Sequence, residues 1–102
     1  MAKKIATHTR PFDVAEYLDN NEAIAAYLDE AMAKGDAAYI VKALGTVARA
    51  RGMTQIAKDA QMSRESLYKS LGGDGNPEFA TVLRVMSALG MRLSVEPEKA
   101  GV

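Results

Sequence analysis

The stretch MTQIAKDAQMSRESLYKSL, residues 53–71, decides how this chain is read. It holds two short apolar patterns separated by Gln61-Met62. Residues 54–60 make barely two helical turns, with Ile56, Ala57 and Ala60 turned inward. Ser63 is a good N-cap for a second helix, because its hydroxyl can accept an orphan amide of the first turn. Along that helix, at about 100° per residue, Leu67 and Leu71 fall on one side and Glu65 and Lys69 point the opposite way. Arg64 and Tyr68 take one shoulder of the outer face, Ser66 and Ser70 the other. Ala57 is small enough for two helices to cross closely.

That outer face carries what a major-groove reader needs. An arginine donates two parallel hydrogen bonds to guanine, and Ser, Glu and Lys side chains have base-edge partners of their own. Tyr68 can reach a phosphate or a thymine methyl. Thr54 and Gln55 stand where the first helix of such a pair crosses the DNA backbone, a natural phosphate anchor. The residues alone leave a second reading open, since Glu65 and Lys69 are also the i,i+4 pair of an ordinary solvated helix.

Outward from this stretch the chain reads as nearly all-α, with six helices and one terminal strand. Asp13 can cap a first helix bearing Val14, Tyr17 and Leu18. A second carries Ile24, Tyr27, Leu28, Ala31 and Met32 and closes at Lys34-Gly35. Asp36 caps a longer third, with Tyr39 or Ile40, Ala43, Leu44, Val47 and Ala50 as its stripe and Arg49, Arg51 and Gly52 at its end. After residues 53–71, GGDGNPEF reads as a loop in which Asn76 caps and Pro77 opens the next helix. That helix shows Phe79, Val82, Leu83, Met86 and Leu89 on one face and stops at Gly90. Met91, Leu93 and Val95 then alternate with Arg92, Ser94 and Glu96, the period of a short strand. A lone strand leaves its backbone groups unpaired. Its candidate partners are the same strand of a second copy or the arm Lys4-Ile5-Ala6-Thr7, and the first suits a two-fold homodimer on palindromic DNA.

Composition sets the frame. A chain of 102 residues with 48% hydrophobic side chains makes one domain with a real core. The expected layout is a flexible arm at 1–11, a helical domain at 12–96 and a short tail at 97–102. With no Cys there is neither a disulfide framework nor a thiolate metal site. No apolar run is long enough for a membrane span, and the N-terminus has lysines but no apolar block behind them. A cytoplasmic protein is expected. The net charge of zero averages unlike halves: residues 1–36 hold four basic and seven acidic side chains, residues 37–102 nine basic and six acidic. The basic half contains the quoted stretch, and DNA attraction follows local charge rather than the whole-chain balance.

Together with GNPEFATVLRVMSALGMRLSV (residues 75–95), the quoted stretch resembles the Cro/repressor-type (XRE-type) helix-turn-helix. With RPFDVAEYLDNNEAIAAYLDEAMAKGD (10–36) and ALGTVARARGM (43–53), the chain resembles the addiction module antidote proteins. These are antitoxins that sit downstream of RelE/ParE-like toxins in two-gene operons. The resemblance spans roughly residues 10–96. It implies a Cro/repressor-like helix-turn-helix bundle with extra N-terminal helices and a short C-terminal strand. It also implies operator binding with autorepression, and neutralisation of a RelE/ParE-like toxin. DNA-facing positions carry over as Thr54, Gln55, Ser63, Arg64, Glu65, Tyr68 and Lys69, with Ser66 beside them. Two departures stand out. Gln61 occupies the turn where Gly is usual, so a residue with a side chain must accept a left-handed backbone there. The Thr54-Gln55 pair also lies two positions nearer Ile56-Ala57 than in typical repressors.

Only residues 97–102 follow the strand, too few to wrap a toxin. If a toxin binds, the acidic residues of the N-terminal helices (Asp13, Glu16, Asp19, Glu22, Asp29 and Glu30) are the better surface for a basic partner; the same residues also read as the solvated face of a small bundle. No enzyme is expected: the single His, His8, has no placed nucleophile or metal cluster around it. No cofactor or metal is implied. The competing function is a stand-alone helix-turn-helix transcriptional regulator without a toxin partner.

Overall fold

A computed structural model of the chain describes residues 18–98. The arm at 1–11, the last four residues of the tail and all but the end of the helix expected from Asp13 lie outside that range; Leu18, expected on that helix, is buried and non-helical. Among the described residues the chain is mostly helical, as expected, and contains five helices.

Helix α1 spans Asn21–Ala33. Asn20 starts it by accepting the Ala23 amide at 2.7 Å, and Gly35, at φ 69°, turns the chain away after Lys34. Helix α2 spans Ala37–Arg51; the Asp36 carboxylate accepts the amides of Ala38 and Tyr39 at 3.0 and 3.4 Å. Gly52, at φ 109°, both ends α2 and precedes α3, Met53–Asp59. Helix α4 is Arg64–Ser70 and α5 is Phe79–Ala88. The α2 stripe is that expected from the sequence, except that Tyr39 faces outward while Ile40 packs on the core.

The core joins Ile24, Leu28 and Ala31 of α1 to Leu44 and Val47 of α2, with Ile56, Leu67, Leu71, Val85 and Leu89 closing it. No polar or charged side chain is buried among the described residues. Seven residues are too few for an autonomous helix, yet α3 packs against α2, α4 and α5 and so ties the molecule together. A β-carbon on Gly45 would lie 3.0 Å from the Leu71 carbonyl oxygen, which shows how closely the end of α4 approaches α2.

Three expectations need correction. Residues 91–95 form no strand among the described residues. A ladder requires a second strand, and the described part of the chain supplies only helices. Asn76 does not cap α5, and Pro77 does not begin it. The chain stays non-helical from 75 to 78, and Glu78 holds the cap position without a side-chain hydrogen bond. Glu78 is itself extended, at φ −64° and ψ 153°, so the run of non-helical residues continues past Pro77 and the first turn begins at Phe79. Finally, α5 buries Val85, Met86 and Leu89 with Val82 beside them, an i, i+3, i+4, i+7 stripe. Phe79 and Leu83 fall on its outer shoulder and are 67% and 42% exposed.

Candidate nucleic-acid interface

Helix α4 rests on two leucines. Leu67 is fully buried and Leu71 nearly so, and burying side chains of this size contributes about 1.5–3 kcal/mol each. With that side committed to the core, the rest of the helix must face outward. Arg64, Glu65, Ser66, Tyr68 and Lys69 are all exposed. This is the face expected from the sequence.

The approach to α4 is equally determined. Gln61 adopts φ 60°, the left-handed conformation anticipated for the turn. Its amide donates to the Lys58 carbonyl at 3.1 Å, and the Met62 amide donates to the Ala57 carbonyl at 2.9 Å. These are the paired bonds of a Schellman closure, normally built around glycine. Ser63 then opens α4: its Oγ accepts the Ser66 amide at 3.0 Å and donates to Ser66 Oγ at 2.9 Å. Both serine hydroxyls are therefore engaged in starting the helix.

The side chains on the outer face differ in freedom. Arg64 Nη2 donates to the Tyr68 hydroxyl at 3.3 Å, and its guanidinium lies 5.0 Å from the Tyr68 ring centre. The two residues brace one another one turn apart, and the guanidinium keeps most of its five donors available. On α3, Thr54 and Gln55 are exposed. The Gln55 amide donates to Asp59 Oδ1 at 2.9 Å, which fastens it along its own helix.

Three basic residues outside the expected site bear on it. Arg84 of α5 donates from Nε to the Ala60 carbonyl at 3.2 Å, a part-buried bond at the C-terminal end of α3. A cation there satisfies a carbonyl that the Schellman closure does not engage and complements the negative end of the helix. Lys42 and Arg49 edge a groove of about 490 Å³ that reaches Leu71 and Gly72 at the end of α4. Their seven-residue spacing, which sets them within about 20° of one another around α2, is the signal that could have placed them together. Arg84 has only one such sign, being the single charge in FATVLRVMSA.

No helix among the described residues is long and apolar enough to cross a membrane. The model of a protein family described as "Probable addiction module antidote protein" matches residues 8–97. The chain belongs to that family. An uncharacterised protein of Haemophilus influenzae is 50% identical to it over 90 residues, 88% of this chain and 93% of the relative. No solved structure matches significantly. Membership supports an antitoxin role, and an antidote has by definition a toxin as partner. It also points to a regulatory rather than a catalytic protein.

Proposed function

We propose that this antidote protein is the antitoxin of a type II toxin–antitoxin module, in which α3 and α4 serve as a Cro/repressor-type helix-turn-helix. As a homodimer paired through its C-terminal segment, it binds a palindromic operator in its own promoter and represses its operon. Its partner is a RelE/ParE-like toxin, and the complex acts in the cytoplasm. The observation that carries the DNA reading is the posture of α4. Two buried leucines fix the helix, and Arg64, Glu65, Tyr68 and Lys69 stand clear of the bundle. Arg64 is the principal base reader, because its planar fork matches guanine. Lys69 and the amides opening α3 bind phosphates, with Thr54, Gln55, Ser63 and Ser66 supporting that register.

The test has two arms. A gel-shift assay on the DNA just upstream of the operon is expected to give a specific complex that competitor DNA does not remove. Co-expression with the product of the adjacent gene is expected to relieve growth arrest. A shift without relief would leave a stand-alone regulator. Relief without a shift would remove the operator from the account.

A further inference from the structure

Residues 91–98 follow α5 through a defined turn. Gly90, at φ 78°, closes α5 with the same paired bonds that close α3: its amide donates to Ser87, and the Met91 amide donates to the Met86 carbonyl at 2.9 Å. Met91 and Leu93 then pack partly on the core. They help to wall a groove of about 420 Å³ with Leu28, Met32 and Met86. Val95 continues the same alternation past the end of the bundle and is 97% exposed. Arg92, Ser94 and Glu96, the alternate positions, are exposed as well, and Arg92 and Ser94 reach the rim of the same groove beside Asp29. A segment of alternating apolar and polar residues with no strand partner among the described residues calls for one.

We propose that two copies of this chain pair antiparallel through residues 91–97 in one register, with Ser94 facing Ser94 across the two-fold axis, so that Arg92 of each copy meets Glu96 of the other. The proposal rests on the homodimer reading above and adds its register. The segment is complementary to itself only in this alignment. Leu93 faces Val95 of the second copy on the apolar side, while Arg92 faces Glu96 twice on the polar side, and such cross-strand pairs set sheet register. The bonding pattern also fits. Antiparallel pairs alternate between bonded and non-bonded. If the Ser94 pair is bonded, so is Arg92 with Glu96, whereas Met91 with Pro97 is non-bonded. Pro97 therefore needs no amide hydrogen and can end the ladder without loss. Centring the axis on Leu93 would set Arg92 against Ser94. Centring it on Val95 would set Leu93 against Pro97 and Arg92 against Glu98. Only the Ser94 register covers Val95 with an aliphatic partner while neutralising Arg92 and Glu96 together.

A charge exchange tests this with the full-length chain, read by sedimentation equilibrium and native mass spectrometry. Wild type is expected to be a dimer at micromolar concentration. R92E sets two glutamates against each other in both symmetric pairs, and E96R sets two arginines. Each alone is expected to raise the dimer dissociation constant roughly tenfold or more. Mixed in equal amounts, R92E and E96R are expected to form the heterodimer preferentially, at about wild-type affinity, because both crossed pairs are then opposite in sign. Both side chains are exposed, so helical circular dichroism should match wild type for each variant. Unchanged dimerisation of the single variants, absence of heterodimer preference, or rescue of R92E by E98R in place of E96R would overturn the register and leave the dimer standing. A monomeric wild type would overturn register and dimer together.

Discussion

At Gln61 a residue with a side chain holds a left-handed backbone, the one non-glycine position among those described with positive φ. For an L-residue this conformation costs roughly 1–2 kcal/mol, which glycine largely avoids at the expense of a more flexible unfolded chain. Gln61→Gly is therefore expected to stabilise the fold by about 0.5–1 kcal/mol. Thermal denaturation should show a midpoint a few degrees higher, because about 1 kcal/mol moves the midpoint of a domain this size by roughly 4–8 °C. Arg64 is the complementary case, a residue whose loss should spare the fold. Arg64→Ala is expected to leave the midpoint nearly unchanged while weakening operator binding by about 1–3 kcal/mol. Titration of operators changed one base pair at a time would show discrimination lost at the position Arg64 reads. Arg64→Lys should not restore it, because a point charge cannot reproduce the two-pronged contact or the stacking on Tyr68.

Among elements, α5 braces the end of α3 from which the chain turns into α4. Arg84 reaches from α5 to the carbonyl of Ala60, the cap residue of α3, immediately before the turn into α4. A hydrogen bond from a charged donor contributes about 1.5–3 kcal/mol when well sheltered, and this one is part-buried. Arg84→Ala is accordingly expected to lower stability by about 1–2 kcal/mol. Hydrogen exchange should quicken first at Gln61 and Met62, whose amides close the turn. The elements differ in how far residues alone announced them. α2 was legible at both ends, since Asp36 caps it and Gly52 releases it by local chemistry. The outer face of α4 was legible too, because two leucines four apart leave one orientation. α5 was legible as a helix but not in its rotation. Phe79, Val82, Leu83, Val85 and Met86 make two overlapping stripes, and only packing against α3 selects the one containing Val85. Its start was misread because Asn76-Pro77 is equally the signature of an extended dipeptide. A strand at 91–95 would need a partner, and none is present among the described residues. Tertiary pairs such as Arg84 with Ala60 leave almost no trace in sequence.

For the whole molecule, the uneven distribution of charge separates two surfaces. The basic residues Arg64 and Lys69 lie on α4, whereas Glu22, Asp29 and Glu30 line the exposed side of α1. If Lys69 contacts a phosphate, Lys69→Ala should weaken binding to all sequences alike and flatten the dependence of log affinity on log salt by about one unit. Toxin neutralisation through the acidic side is best tested by reversing Glu22, Asp29 and Glu30 to lysine. Removing the N-terminal third would also withdraw Ile24, Leu28 and Ala31 from the core. The expected outcome is loss of growth rescue with operator binding intact or strengthened, and full rescue would move the toxin elsewhere on the surface. The placement of α3 carries a last implication. A helix of seven residues clasped by three others has no stability of its own, so the proposed DNA-binding surface cannot outlive the remainder of the bundle. On the proposed reading as a repressor, whatever begins to unravel the protein also vacates the promoter, and replacement transcription starts as the old molecules are lost.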